Sequence, residues 1–140
     1  AINRSLVRHV SDAVIAKGGK VLMVKASRGL TKGIWDLPGG FINYGESPAQ
    51  SLVREVKEET GLVVSIKKPL HIHTNIYGEL YFIAFIYLCH VRGGKLRPAK
   101  DEISEARWLP LEEAIKSAEK GFVKKALTVY KKMLDSNRTA

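Results

Sequence analysis

Three glutamates, Glu55, Glu58 and Glu59, stand at i, i+3 and i+4 in a segment that reads GFINYGESPAQSLVREVKEETGL from Gly40 to Leu62. On a helix that spacing brings three carboxylates to within about 6 Å of one another, where like charges repel unless a proton or a cation lies between them. A hard, oxygen-seeking cation such as Mg²⁺ or Mn²⁺ answers that need. Acids on an exposed helix face are ordinarily just solvated, but here they sit in an ordered frame. Gly40 is followed after five residues by Glu46, then after seven by Arg54-Glu55, and Val56, Lys57, Glu58-Glu59, Thr60, Gly61 and Leu62 complete it. A diphosphate link is one target for such a site. Its adjacent negative charges repel an incoming hydroxide, so cations must neutralise the oxygens and a base must prepare the water. Carboxylates can do both, and their titrations are coupled.

The acids need a helix, and the flanking residues predict one. Ser47 is an N-cap residue, Pro48 suits the first helical position, Gln50 completes a capping box, and Gly61 fits a left-handed C-cap, so the helix should run from about Pro48 to Thr60. Ala49, Leu52, Val53, Val56 and Thr60 fall on one arc, the face to be buried, and the three glutamates occupy the neighbouring arc. Upstream, Val10 to Ala16 and Val21 to Ala26 read as strands joined by a Lys17-Gly18-Gly19-Lys20 turn. Downstream, Val63 to Lys67 and Leu70 to Tyr77 read as two strands, and Glu79 to Val91 as a strand covered on both faces. Arg92-Gly93-Gly94 reads as a hairpin turn. Arg107 to Leu109 should be a short strand, Leu111 to Glu119 a helix, and Phe122 to Leu134 a closing helix.

In its order of residue types this chain resembles the Nudix hydrolases, including the MutT-like and nucleoside diphosphate pyrophosphohydrolase members. Their signature is G, five residues, E, seven residues, R-E-U-x-E-E-x-G-U with U aliphatic, and every defined position is present between Gly40 and Leu62. The resemblance extends less sharply over almost the whole chain, through WDLPGG at Trp35 to Gly40 and the Glu102 to Leu109 segment before Pro110. It implies an α/β (α+β) fold, a mixed sheet sandwiched between helices in an α/β/α arrangement, with the signature as loop, helix and loop. The expectation is a single domain over residues 1–140.

What the resemblance implies for the site is specific. Glu55, Glu58 and Glu59 match the family's metal-binding glutamates, and the carbonyl of Gly39 matches a common backbone ligand. Arg54 matches the arginine that orients Glu55, against the plain alternative of a surface ion pair with Glu58. Glu46 matches the signature's first glutamate, a supporting or bridging residue. Glu102 resembles the additional acid that many members place on a loop facing the helix, as ligand or base; Glu105 and Asp101 are the alternatives at that position. Tyr44, Tyr77 and Tyr81 are candidates to stack on a base, and Trp35 and Trp108 read as core packing. Markers for particular substrates are not cleanly present: Pro69 is too close to the signature for the ADP-ribose proline, whose place holds Tyr77 or Gly78. ADP-ribose-like nucleoside diphosphates are the first expectation and oxidised nucleoside triphosphates such as 8-oxo-dGTP the second. A nucleotide-sensing or RNA-directed Nudix module is a reading of another class; a sensor would lack catalytic glutamates, and none is missing.

Composition agrees with a globular enzyme. The 140 residues are 45% hydrophobic and 26% charged, enough for one core that buries roughly two thirds of the unfolded surface. The net charge of +9 suits a polyanionic ligand, and the basic residues near the C-terminus (Lys124, Lys125, Lys131, Lys132 and Arg138) read as the solvated face of a helix. No apolar run is long enough to span a bilayer. The lone Cys89 excludes an internal disulfide and reads as an inert core thiol in a reducing compartment. The expected partner is a small nucleotide in the cytoplasm, rather than nucleic acid or a membrane. A homodimer is an expected assembly, because a partner's loop often completes the small pocket in this family.

Overall fold

A computed structural model describes residues 6–29, 31–77 and 79–139. In chain order it contains strands β1 (Leu6–Lys17), β2 (Lys20–Ala26), β3 (Trp35–Asp36) and β4 (Gly39–Phe41), helix α1 (Pro48–Thr60), strands β5 (Leu62–Tyr77), β6 (Leu80–Gly94) and β7 (Ile103–Pro110), and helices α2 (Leu111–Ser117) and α3 (Gly121–Thr139). The strands form one mixed sheet of order β3-β2-β1-β6-β5, with β4 paired to β1 and β7 to β2. β1 runs parallel to β6 from Leu6 to Ile15, and the other ladders are antiparallel.

β1 is the hub that positions everything else. Its middle residues Val10, Ser11 and Asp12 pair with Phe41, Gly40 and Gly39 of β4, whereas its end turns to β2 through Gly18 and Gly19. Both glycines have positive φ, 57° and 78°, as a two-residue hairpin turn requires. Because strand side chains alternate between faces, β1 feeds two separate cores. Ala13 and Ile15 pack with Leu52 and Val56 of α1 and with Leu62, Val64 and Cys89. Val14 packs with Val21, Met23, Ile86, Ala114, Val123, Ala126 and Leu127, under α2 and α3. The result is the expected three layers, helix on sheet on helices. Burial of each such aliphatic side chain contributes about 1.5–3 kcal/mol.

α1 has the expected bounds and caps. Gln50 N donates to Ser47 Oγ at 3.1 Å, Ser47 N donates to Gln50 Oε1 at 2.9 Å, and Gly61 adopts φ 80°. Its buried face differs in detail: Leu52, Val56 and Thr60 are buried as expected, Ala49 and Val53 are only half-buried, and Ser51 and Glu59 are drawn inside.

Other expectations are corrected. The two strands expected over Val63 to Lys67 and Leu70 to Tyr77 are a single strand, β5, whose register shifts between Ile66 and Lys68 and between Pro69 and His71. An edge strand accommodates a proline at such an irregularity without breaking. Arg92-Gly93-Gly94 is no hairpin turn, because Gly93 and Gly94 pair with Val63 and Leu62; the hairpin joins Tyr77 to Leu80 instead. β6 is fully covered only around Ala84, Ile86, Leu88 and Cys89, and its first residues are half-exposed. α2 ends at Ser117 and α3 reaches Thr139. β3 and β4, of two and three residues, are too short to leave a pattern in the sequence. Lys124, Lys125, Lys132 and Arg138 are exposed, the solvated face expected of α3, while Lys131 pairs with Glu112.

Candidate functional site

The candidate site forms where α1 lies across β4. Ser51 Oγ donates to the Phe41 carbonyl at 3.2 Å, tying helix to strand. At Gly40 the strand comes so close to the helix that a Cβ would stand 2.6 Å from Glu55 Cδ and 2.8 Å from its Oε2. Only the absent side chain leaves room for that carboxylate. Gly39, at φ 155°, is equally confined: a Cβ there would meet the Ser11 carbonyl at 2.2 Å and Asp12 Oδ1 at 2.3 Å. The Gly39 N–H donates to Glu59 Oε1 at 3.4 Å.

Arg54 organises the acids on the helix's outer side. Its Nε and Nη2 donate to Glu46 Oε2 and Oε1 at 2.7 and 2.8 Å, and its Nη1 donates to Glu55 Oε1 at 3.0 Å and Glu58 Oε2 at 3.1 Å. Nη2 also reaches the Phe41 carbonyl at 3.4 Å. One guanidinium thus makes both contacts weighed for Arg54, to Glu55 and to Glu58. The Arg54 hydrogen bonds, helped by the Asn43 N–H, hold the Glu46 carboxyl down at about 2.

The inner acids are pushed the other way. Burial first, then the charge of Glu55, raise Glu59 to about 9, against the opposing Gly39 N–H; Asp12 and Glu102 push in the same direction as Glu55. Glu55 is raised by burial, opposed by Arg54 and reinforced by Glu58 and Glu102. The arrangement differs from a single tight trio. Among the described residues no three His, Cys, Asp or Glu side chains are gathered tightly enough round one point to hold an ion as they stand. Arg54 draws Glu55 and Glu58 to its own side, while Glu59 turns inward to Gly39. The donor set nevertheless fits a hard divalent cation. It is all oxygen, two of its carboxylates are held above their ordinary range by burial and the charge of neighbouring acids, and positive charge relieves both.

Of the three loop acids weighed for an additional role, Glu102 is the one whose charge bears on Glu55 and Glu59. Its backbone is held by Ser27 N donating to its carbonyl at 2.8 Å. Glu105 is paired with Lys25 at 3.6 Å and with Arg107, and the carbonyl of the exposed Asp101 accepts from Ser27 Oγ. Asp12 was not singled out from the sequence. It is buried on β1 beside Gly39, and burial followed by the charge of Asp36 holds its carboxyl well above the usual range, against the opposing Lys120. Lys120 Nζ in turn contacts Asp36 Oδ2 at 2.6 Å. An aspartate inside the apolar run Val10 to Ile15 was the available signal.

The tyrosines lie further out. Tyr44 is fully exposed at the rim of a shallow depression lined by His9, Ile42, Glu46 and Phe85. Tyr81 pairs with Val7, four residues or about 13 Å along the ladder from the level of Ser11 and Phe85. The Tyr77 side chain lies outside the described residues. Trp35 and Trp108 are partly buried against the two cores, as expected of packing residues. Cys89 is buried, which pushes its thiol up to about 12 and makes it unreactive.

Comparison with known proteins agrees with this geometry. The family model described as NUDIX domain matches residues 7–132. The ADP-ribose pyrophosphatase of Methanocaldococcus jannaschii is 35% identical over 109 residues, covering 76% of this chain and 64% of that protein. A mouse 8-oxo-dGDP phosphatase is 34% identical over 94 residues, covering 65% of this chain and 28% of that protein. This chain therefore spans less than two thirds of the length of these relatives. The solution structure of the E. coli ORF135 protein superimposes with a TM-score of 0.80 at 21% identity, covering 97% of this chain and 96% of that one. With a complete signature running from β4 through α1 to the start of β5, carboxylates seated over a double-glycine strand and a family match over nearly its whole length, the chain belongs to the Nudix family.

Proposed function

We propose that this chain hydrolyses the diphosphate linkage of a nucleoside diphosphate derivative with a divalent cation, Mg²⁺ or Mn²⁺, and that an ADP-ribose-like nucleotide of the cytoplasm is its favoured substrate. The observation that carries this reading is the pair Glu55 and Glu59, both buried enough to be raised in pKa and both seated against the Gly39-Gly40 strand. The name of the Methanocaldococcus relative supports the choice of substrate.

Glu55, Glu58 and Glu59 would hold the cation, with the Gly39 carbonyl completing the set. When bound, the ion supplies positive charge that neutralises the diphosphate oxygens and acidifies water. The protein's own groups do the rest. Arg54 fixes the Glu55 carboxylate and restrains Glu58 through one Nη1, and Glu46 fixes Arg54. Glu102, on the loop facing the helix, accepts the proton of the attacking water. The exposed Tyr44 ring is available to stack on a base.

A panel of nucleotides incubated with Mg²⁺ or Mn²⁺ in ¹⁸O-labelled water, read by ³¹P NMR, tests this. The expected result is conversion of ADP-ribose to AMP and ribose 5-phosphate, abolished in Glu58→Gln and Glu59→Gln. The second reading, a triphosphate pyrophosphohydrolase for oxidised nucleotides, has the support of the mouse 8-oxo-dGDP phosphatase. Release of pyrophosphate from 8-oxo-dGTP, with ADP-ribose untouched, would establish it instead.

A further inference from the structure

Ser11 Oγ is fully enclosed by protein and, among the buried side-chain oxygens and nitrogens of the described residues, is the one without a hydrogen-bond partner. An unpartnered buried hydroxyl works against folding, so each one calls for a reason. The position of Ser11 offers one. It lies two residues before Ala13 on the strand face that packs against α1, and it stands directly opposite Gly40 in the β1–β4 ladder. Side chains opposed in this way project to the same face with Cβ positions about 5 Å apart. At Gly40 that position is occupied by Glu55, whose Cδ and Oε2 lie 2.6 and 2.8 Å from where a Cβ would be. The cross-strand neighbour of the Ser11 hydroxyl is therefore the Glu55 carboxylate.

The two ends of that carboxylate differ. Oε1 accepts from Arg54 Nη1, on the outer side of the helix. Both oxygens border the Gly40 gap, Oε2 at 2.8 Å and Oε1 at 3.0 Å from where a Cβ would stand, and Oε2 is the one that Arg54 does not hold. An ionised carboxylate only accepts hydrogen bonds, and in a dry setting only a fixed donor can use its free lone pairs.

We propose that Ser11 is a positioning residue for Glu55: its hydroxyl donates to the Glu55 carboxylate once α1 takes up a divalent cation, and with Arg54 it fixes the orientation of that carboxylate. This rests on the reading that the glutamates of α1 bind such a cation. Carboxylates that ligate metals are themselves held by hydrogen bonds, and loss of such a partner typically weakens metal affinity by about 10–100-fold. The hydroxyl thus has opposite effects in two states, a burden in the cation-free protein and a support in the loaded one.

That opposition separates the assignment from a merely structural role. Ser11→Ala removes an unpartnered hydroxyl from the cation-free protein, so its Tm without metal should equal or exceed that of the parent. Its Mn²⁺ dissociation constant, measured from the electron paramagnetic resonance signal of free Mn²⁺, should rise about tenfold. Ser11→Thr keeps the donor and should bind Mn²⁺ within about threefold of the parent, allowing for its extra methyl. Ser51→Ala is the structural comparison: that buried hydroxyl already donates to Phe41, so its loss should lower Tm. Parent-like Mn²⁺ affinity in Ser11→Ala overturns the proposal, as does a loss of affinity accompanied by a Tm drop like that of Ser51→Ala. Failure of the parent itself to bind Mn²⁺ overturns the cation reading and this assignment with it, an outcome distinct from binding that Ser11→Ala leaves untouched.

Discussion

Arg54 holds Glu46 by a two-point fork, Nε to Oε2 at 2.7 Å and Nη2 to Oε1 at 2.8 Å, across the loop that leads into α1. The planar guanidinium matches a carboxylate in this way and a lysine cannot. Because the same guanidinium reaches Glu55 and Glu58, Glu46 acts on the site through Arg54. Arg54→Lys and Glu46→Gln should each lower kcat by about 10-fold or more. The double variant should be little worse than either single one, a non-additivity that a double-mutant cycle on kcat/KM reads directly. Additive losses would separate Glu46 from the arginine.

Glu59 makes the stability of the cation-free protein depend on pH. Its folded pKa of about 9 stands above the ordinary value of 4.5, so the folded state holds a proton that the unfolded state releases over that interval. The stabilising contribution is fully present below about pH 4.5 and is lost as pH rises towards 9. Asp12, also raised, tilts the profile the same way. Tm should therefore fall on titrating the cation-free protein from pH 5 to pH 9, and Glu59→Gln should flatten the slope without abolishing it. Mn²⁺ binding near neutral pH should release a proton that Glu59→Gln does not, visible as a buffer-dependent heat in calorimetry.

The two adjacent glycines should fail differently. A Cβ at Gly40 meets the far end of the Glu55 side chain, which can swing away, so Gly40→Ala should fold, with Tm within a few degrees of the parent, and lose turnover by more than about 10-fold. A Cβ at Gly39 meets the Ser11 carbonyl at 2.2 Å, a backbone atom of the central strand, at a φ of 155°. Gly39→Ala should consequently lose stability as well as activity. Matching thermal shifts for the two variants would contradict this distinction.

Glu102→Gln should lower turnover by about 10-fold or more with substrate affinity largely kept, as expected for a base or ligand that acts during the reaction. Glu105→Gln disturbs instead the pairs with Lys25 and Arg107 and should leave kcat near that of the parent. Unchanged turnover in Glu102→Gln would remove that residue from the site.

Legibility in the sequence followed the range of the interaction. α1 was readable to the residue because its signals are local: the Ser47 and Gln50 side chains and the left-handed Gly61 act within one turn of the ends they define. The Gly18-Gly19 hairpin was readable for the same reason. Arg92-Gly93-Gly94 misled because two glycines have the composition of a turn, while their pairing with Leu62 and Val63 is decided some thirty residues away in the chain. β3 and β4 carry no periodicity of their own and exist because β2 and β1 offer them open edges.

By itself the sequence determined the helix, its caps and the order of acid and base types along it, since spacing on a helix is set by its 3.6-residue turn. Tertiary structure alone decided that Glu59 faces inward to Gly39 while Glu58 stays out with Arg54, that Asp12 lies buried beside Gly39, and that the Ser11 hydroxyl is enclosed without a partner across from Gly40. Those outcomes depend on β4 crossing under α1, and the close approach that makes burial and charge matter exists only once strands distant in sequence are packed together.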